Sequence, residues 1–150
     1  MADNEPAFGI DEMLCFAVYA ASRELTRLYR PALEKVGLTY PQYLVMVMLR
    51  QHGESIVTDI GEKLLLDSGT LTPLLKRLQE AGLIYRRRSQ GDERKVEVGL
   101  TEKGMALAEQ IKDVSKDLFT ELCKTEERYF DLLSSARGLL RDAHELARRS

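Results

Sequence analysis

Residues 67–100, DSGTLTPLLKRLQEAGLIYRRRSQGDERKVEVGL, change their hydrophobic period halfway along. In the first half Leu71, Leu74, Leu75 and Leu78 recur at helical spacing and share one face, with Ser68, Thr70 and Thr72 near the start and Lys76 and Arg77 on another side. Pro73 is tolerated only near a helix start, which places that start between Ser68 and Thr70, and Gly82 closes the helix. Beyond Gly82, residues 83–88 and 95–100 read as two strands, and Ser-Gln-Gly-Asp-Glu-Arg is the turn between them, with Gly91 at its tight bend. A helix running straight into a basic-tipped hairpin is a winged helix. Such a unit lays its helix in a major groove and its hairpin tip along a phosphate backbone or in a minor groove.

Charge placement agrees with that reading better than total charge does. The 150 residues carry a formal charge of only −2, yet from Lys76 to Lys95 seven Lys or Arg face Glu80, Asp92 and Glu93, a local excess of +4. Phosphates are neutralised at the contact surface, so the local excess matters, while an acidic remainder disfavours indiscriminate binding. Arg86, Arg87 and Arg88 at the base of the wing are expected to meet phosphates. Arg94 is expected to enter a minor groove with Asp92 orienting it; otherwise the pair is a hairpin-tip salt bridge of little worth. Ser68, Thr70 and Thr72 are groove contacts or simple capping residues.

No run approaches the roughly 18 apolar residues of a membrane span. The acidic start, MADNEPAFGIDE, lacks a basic-then-apolar signal pattern. A cytoplasmic chain is expected, with its two cysteines as free thiols rather than a constitutive disulfide. His52 and His144 fit neither a zinc spacing nor a catalytic constellation, so no metal, cofactor or catalytic residue is assigned.

Around the central unit the pattern is helical. Leu14, Val18, Ala21, Leu25 and Leu28 predict a helix from Ile10 to about Arg30, and Cys15, Phe16 and Tyr19 widen its apolar side beyond what one small domain covers. Residues 31–38 read as a connection or short helix, Thr39-Tyr40-Pro41 as a helix start, and His52-Gly53 as its end. Ile56 and Val57 suggest a short strand, and Thr58 or Asp59 a cap for a helix through Leu66. Thr101 is expected to cap one helix to about Lys124, and Thr125 a last one to about Ala147. The fold class is therefore mostly α with a small antiparallel hairpin wing. Residues 40–100 form the winged-helix lobe, and helices in 10–36 and 102–150 form a dimer platform. A two-fold protein suits a pseudo-palindromic double-stranded operator.

DSGTLTPLLKRLQEAGLI and the wing SQGDERKVEVGLTEKG, in this order of elements, resemble the MarR family of dimeric winged-helix regulators over essentially the whole chain. LCFAVYAASRELTRLYRPAL followed by LTYPQYLVMVML is similar to that family's organic-hydroperoxide-sensing branch, the OhrR type, in which a cysteine, two tyrosines and the TYPQY segment occur together at this spacing. The resemblance implies a repressor that releases DNA when the first-helix cysteine, Cys15, is oxidised, with Tyr19, Tyr29 and Tyr40 around the sulfur. It also implies Cys123 as the resolving thiol of a two-cysteine subtype.

The residues themselves allow this chemistry. Cys15 and Tyr19 are four apart and share a helical face. Tyr29 lies about 21 Å further along the same axis, so it meets a Cys15 only where the first helices of two subunits cross antiparallel. A phenol donating to the sulfur favours the thiolate, the form that attacks a peroxide. On pattern alone Cys15 is a small buried hydrophobe, the tyrosines are core aromatics, and Met46 and Met48 are packing. Two rival readings remain: a repressor released by a reversible phenolic ligand, and a thiol peroxidase using Cys15 catalytically.

Overall fold

The computed structural model describes residues 9–150, so residues 1–8 of the acidic lead lie outside the described part. The chain folds as two units, divided after Lys112. The first holds α1 (Leu14–Glu34), α2 (Tyr40–His52), β1 (Ser55–Ile56), α3 (Val57–Leu64), α4 (Ser68–Glu80), β2 (Ile84–Arg88), β3 (Val96–Leu100) and α5 (Glu102–Gln110). The second holds α6 (Val114–Cys123) and α7 (Glu126–Arg149). The architecture is mostly helical, with one three-stranded antiparallel sheet in the order β1-β3-β2.

Most helices begin where the sequence supplies a side-chain acceptor. The Gln42 amide donates to Thr39 Oγ1 while the Thr39 amide donates to Gln42 Oε1, a reciprocal cap that starts α2 just ahead of Pro41. Asp67 accepts from the Thr70 amide at 2.8 Å and starts α4 at Ser68, which keeps Pro73 within its first two turns. Thr101 and Thr125 do the same for α5 and α7. At the far end of α4 the Gly82 amide donates to the Gln79 carbonyl and the Leu83 amide to that of Leu78, the paired bonds that end a helix on a left-handed residue.

The apolar face of α4 is the centre of the core: Leu71, Leu75 and Leu78 are almost wholly buried, as are Met46 and Leu49 of α2, Ile60 of α3 and Val98 of β3. Met46 and Met48 are packing residues there. No helix among the described residues is long and apolar enough to cross a membrane.

Four local expectations are corrected. α1 begins at Leu14, after a 3-10 turn at Ile10–Glu12, and does not stop near Arg30. It carries Pro31 inside it to Glu34, because Tyr29 and Leu33 on either side are buried and their packing outweighs one missing amide donor. Val57 is the first residue of α3 rather than strand, Ile56 stands at its N-cap position without a side-chain bond, and Leu65 ends the helix in a left-handed conformation (φ 54°). The span 102–124 is two helices, broken at 111–113, where Ile111 is buried as the first unit ends. The wing is not turned at Gly91 alone: the chain bends there and then turns again at Asp92, whose carbonyl accepts from the Lys95 amide at 3.0 Å and whose carboxylate accepts from the Arg94 amide at 3.0 Å.

Candidate nucleic-acid interface and thiol site

α4 offers a polar face opposite its leucines. Ser68, Thr72 and Lys76 lie one turn apart along it, with Arg77 beside them, and all four are exposed. Thr70 also serves the helix start: its amide donates to Asp67 Oδ1 at 2.8 Å, and its hydroxyl first, then its amide, hold that carboxyl below its ordinary range. Of the three candidate hydroxyls, this one is part of the helix cap.

The wing is held to α4 by Arg86, whose Nε donates to Gln79 Oε1 at 2.7 Å. Arg88 steadies the stem by donating to the Glu93 carbonyl at 3.0 Å. At the tip Arg94 is 91% exposed and lies against Asp92, with Nε 3.2 Å from Oδ1 and a terminal nitrogen 3.4 Å from Oδ2. The Asp92 carboxyl is held below its ordinary range, first by the Arg94 amide and then by its guanidinium. A surface pair with so exposed a guanidinium adds little stability; its consequence is that the guanidinium is held against Asp92 at the tip. Arg87 departs from the expected row of phosphate contacts, because Glu54 and Glu97 both bond it.

Cys15 is the second residue of α1, in the first turn, where backbone amides lack intrahelical partners. Its side chain is a free, exposed thiol. Tyr19, one turn on, is 61% exposed, and the Arg23 guanidinium lies 5.6 Å from its ring centroid. Leu14, Phe16 and Val18 are exposed as well, so this half of α1 presents apolar side chains that the described residues do not bury. Tyr29, at the other end of the helix, is buried in a cluster with Tyr40 and Tyr43, with ring centroids 5.0 and 5.3 Å away. Burial chiefly, and Tyr29 secondly, push the Tyr40 phenol up, so it stays protonated and able to donate. Cys123 is a free thiol buried at the end of α6, in the second unit.

Comparison with known proteins draws these features together. The family model described as transcriptional regulator SarA/Rot matches residues 27–111. The organic hydroperoxide resistance transcriptional regulator of Bacillus subtilis is 43% identical over 136 residues, covering 91% of this chain and 92% of that one. The chain belongs to the MarR family. Among solved MarR-type folds, reduced AbfR bound to DNA, a Staphylococcus epidermidis protein, superposes with a TM-score of 0.70 at 33% identity, covering 87% of this chain and 96% of that one. A MarR variant from E. coli complexed with operator DNA superposes with a TM-score of 0.78 at 27% identity, covering 87% and 97%. The hydroperoxide-regulator branch of the MarR family is the one the B. subtilis relative represents, and these relatives are named regulators rather than enzymes.

Three side chains that hold the α4 helix and the wing of this MarR-family chain in place were passed over by the sequence reading. Asp67 caps the reading helix, Gln79 joins that helix to the wing, and Glu54 bonds Tyr85 and Arg87. The last group depends on the hairpin register, which sets Tyr85 opposite Gly99 and Arg87 opposite Glu97 and which nothing around Glu54 in the sequence announces.

Proposed function

We propose that the chain is a homodimeric, cytoplasmic repressor that senses organic hydroperoxides through Cys15 and releases its operator on oxidation. The observation that carries this reading is an exposed thiol in the first turn of α1, on a stretch of apolar side chains left uncovered. A second copy covers that stretch: helices within 10–36 and 102–150 form the dimer platform, and each 40–100 lobe reads one half-site. Ser68, Thr72, Lys76 and Arg77 face the major groove, Arg86 and Arg88 meet phosphates, and Arg94, aimed by Asp92, enters the minor groove.

In the antiparallel dimer Tyr29 and Tyr40 of one chain stand beside the Cys15 of the other, with Tyr19 one turn from the sulfur. The thiolate attacks the terminal peroxide oxygen: an S–O bond forms, the O–O bond breaks, and the alcohol leaves with a proton. The sulfenic acid then condenses with a thiol, Cys123 or a small molecule, forming a disulfide and releasing water. Closing that bond respaces the two lobes, and a dimer that cannot engage both half-sites at once loses most of its affinity.

The test uses a duplex selected from random-sequence DNA by the wild-type protein. Adding tert-butyl hydroperoxide releases the duplex and dithiothreitol restores binding; release that dithiothreitol does not reverse counts against the disulfide. Tyr29→Phe keeps the ring packing and loses one donor to the thiolate, so oxidation slows about tenfold at unchanged DNA affinity. Stopped-flow oxidation kinetics at the wild-type rate would remove Tyr29 from the site.

A second reading has one observation in its favour. An open, largely apolar groove of about 460 Å³, lined by Leu38, Leu78, Leu83, Lys103 and Leu107, is large enough for a phenolic ligand. Release driven by such a ligand is indifferent to reductant.

A further inference from the structure

Glu54 immediately precedes β1, the edge strand on the far side of β3 from β2. Two side chains of β2 nevertheless reach it across the sheet, a span of about 10 Å for two strand spacings. The Tyr85 hydroxyl donates to Glu54 Oε2. A terminal nitrogen of Arg87 lies 3.1 and 3.0 Å from the two Glu54 oxygens, while Arg87 Nε donates to Glu97 Oε2 at 3.1 Å. The Arg87 guanidinium also lies 5.5 Å from the Tyr85 ring centroid.

Gly99 makes the crossing possible. A Cβ at that position would fall 2.2 Å from the Tyr85 hydroxyl and 2.4 Å from the ring carbon that bears it. The phenol therefore occupies the space above the one residue of β3 that has no side chain. β1 joins β3 through only two register pairs, Ser55 with Val98 and Ile56 with Glu97. Arg87 and Glu97 are one pair from the last rung of the hairpin ladder, Arg88 with Val96. The bonds to Glu54 thus hold the stem close to its tip, where a small rotation moves Arg94 furthest.

We propose that Glu54 is a positioning residue for DNA recognition: through Tyr85 and Arg87 it fixes the wing against the segment joining α2 to β1, and so sets where Arg94 meets the minor groove, without itself touching DNA. Its charge state suits the task. The Tyr85 hydroxyl, first, and Arg87 hold the Glu54 carboxyl below its ordinary range, and the same bond raises the Tyr85 phenol, so near neutral pH one accepts and the other donates. The middle arginine of the basic run is thereby committed to two carboxylates rather than to phosphate.

This proposal depends on the reading of Arg94 as a DNA contact, and a double-mutant cycle separates the two. Affinity for the selected duplex is measured for wild type, Glu54→Ala, Arg94→Ala and the double variant, with thermal stability in parallel. Glu54→Ala is expected to weaken binding about tenfold. Because the cluster lies at the surface, with Arg87 exposed and its partners partly so, the Tm of Glu54→Ala stays within about 2 °C of wild type. Arg94→Ala then costs clearly less in the Glu54→Ala background than alone, and Gly99→Ala, which leaves every charge in place but displaces Tyr85, weakens binding in the same way. Wild-type affinity in Glu54→Ala overturns the proposal, and so do additive losses in the double variant. Tighter binding with a steeper salt dependence overturns it too, because Glu54 would then only be masking Arg87 from phosphate. A harmless Arg94→Ala removes the tip contact and the Glu54 proposal together, whereas a costly but additive one removes Glu54 alone.

Discussion

Cys15→Ser is expected to bind the selected duplex within about twofold of the wild-type affinity, as a nearly isosteric substitution outside α4 and the wing should. It is also expected to keep the duplex when an alkyl hydroperoxide is added. Both halves follow from where the residue stands. Cys15 lies at the start of α1, whereas the side chains proposed to face the groove belong to α4 and the wing, so on that reading losing the sulfur removes no contact to DNA. A serine hydroxyl at neutral pH has no counterpart of the thiolate, and the O–O bond is left without its nucleophile. Anisotropy of a labelled duplex, followed with and without cumene hydroperoxide, measures both. Release that survives in the variant removes Cys15 as the sensor, and binding lost before any peroxide is added makes it a structural residue of the dimer.

The second large effect concerns the joint between reading helix and wing. Gly104→Ala is expected to lower stability by about 3 kcal/mol, or about 10 °C in Tm for a chain of this size, because overpacking against backbone has no rotamer to relieve it. The added Cβ would fall 1.9 Å from the Leu83 carbonyl oxygen and 2.9 Å from its carbon. The same carbonyl accepts from the Thr101 amide at 3.1 Å, while the Gly82 and Ala81 carbonyls accept from the Thr101 hydroxyl at 2.6 Å and the Lys103 ammonium at 2.9 Å. The start of α5 is thus laid directly on the three residues that join α4 to β2, and any shift there disturbs the wing as well as the core. Differential scanning calorimetry reads the effect, and a Tm within about 2 °C of wild type would mean that the contact yields at little cost.

The reading helix and the wing could be found in the sequence because local and tertiary preferences agree there. The leucine face, Pro73 near the helix start, Gly82 and the two strand runs each favour the same structure, and the helix and hairpin form where that agreement places them. Where the two disagree, the sequence misled. Pro31 is a local breaker overruled by Tyr29 and Leu33, and Ile111 interrupts what caps and composition alone would make one long helix. Glu54 was illegible for another reason. It is an ordinary acidic residue in a short connection, given meaning only by a register that brings Tyr85 over Gly99, and registers follow from pairing rather than from composition. Cys15, the proposed sensor, stood between these cases. Its helix and spacing were readable, but its exposure was not, because an apolar helix usually buries its cysteine and this one leaves the thiol and its neighbours uncovered.

One measurement bears most directly on the link between sulfur and DNA. The wild-type protein on its selected duplex is titrated with sub-stoichiometric tert-butyl hydroperoxide. At each step the bound fraction is read by anisotropy, and the oxidised fraction of each cysteine by intact and peptide mass after thiol blocking. The account predicts that the bound fraction falls in proportion to the loss of the Cys15 thiol and recovers as dithiothreitol regenerates it. DNA leaving while Cys15 remains a thiol, or Cys15 fully oxidised on a dimer that still holds its duplex, would contradict it.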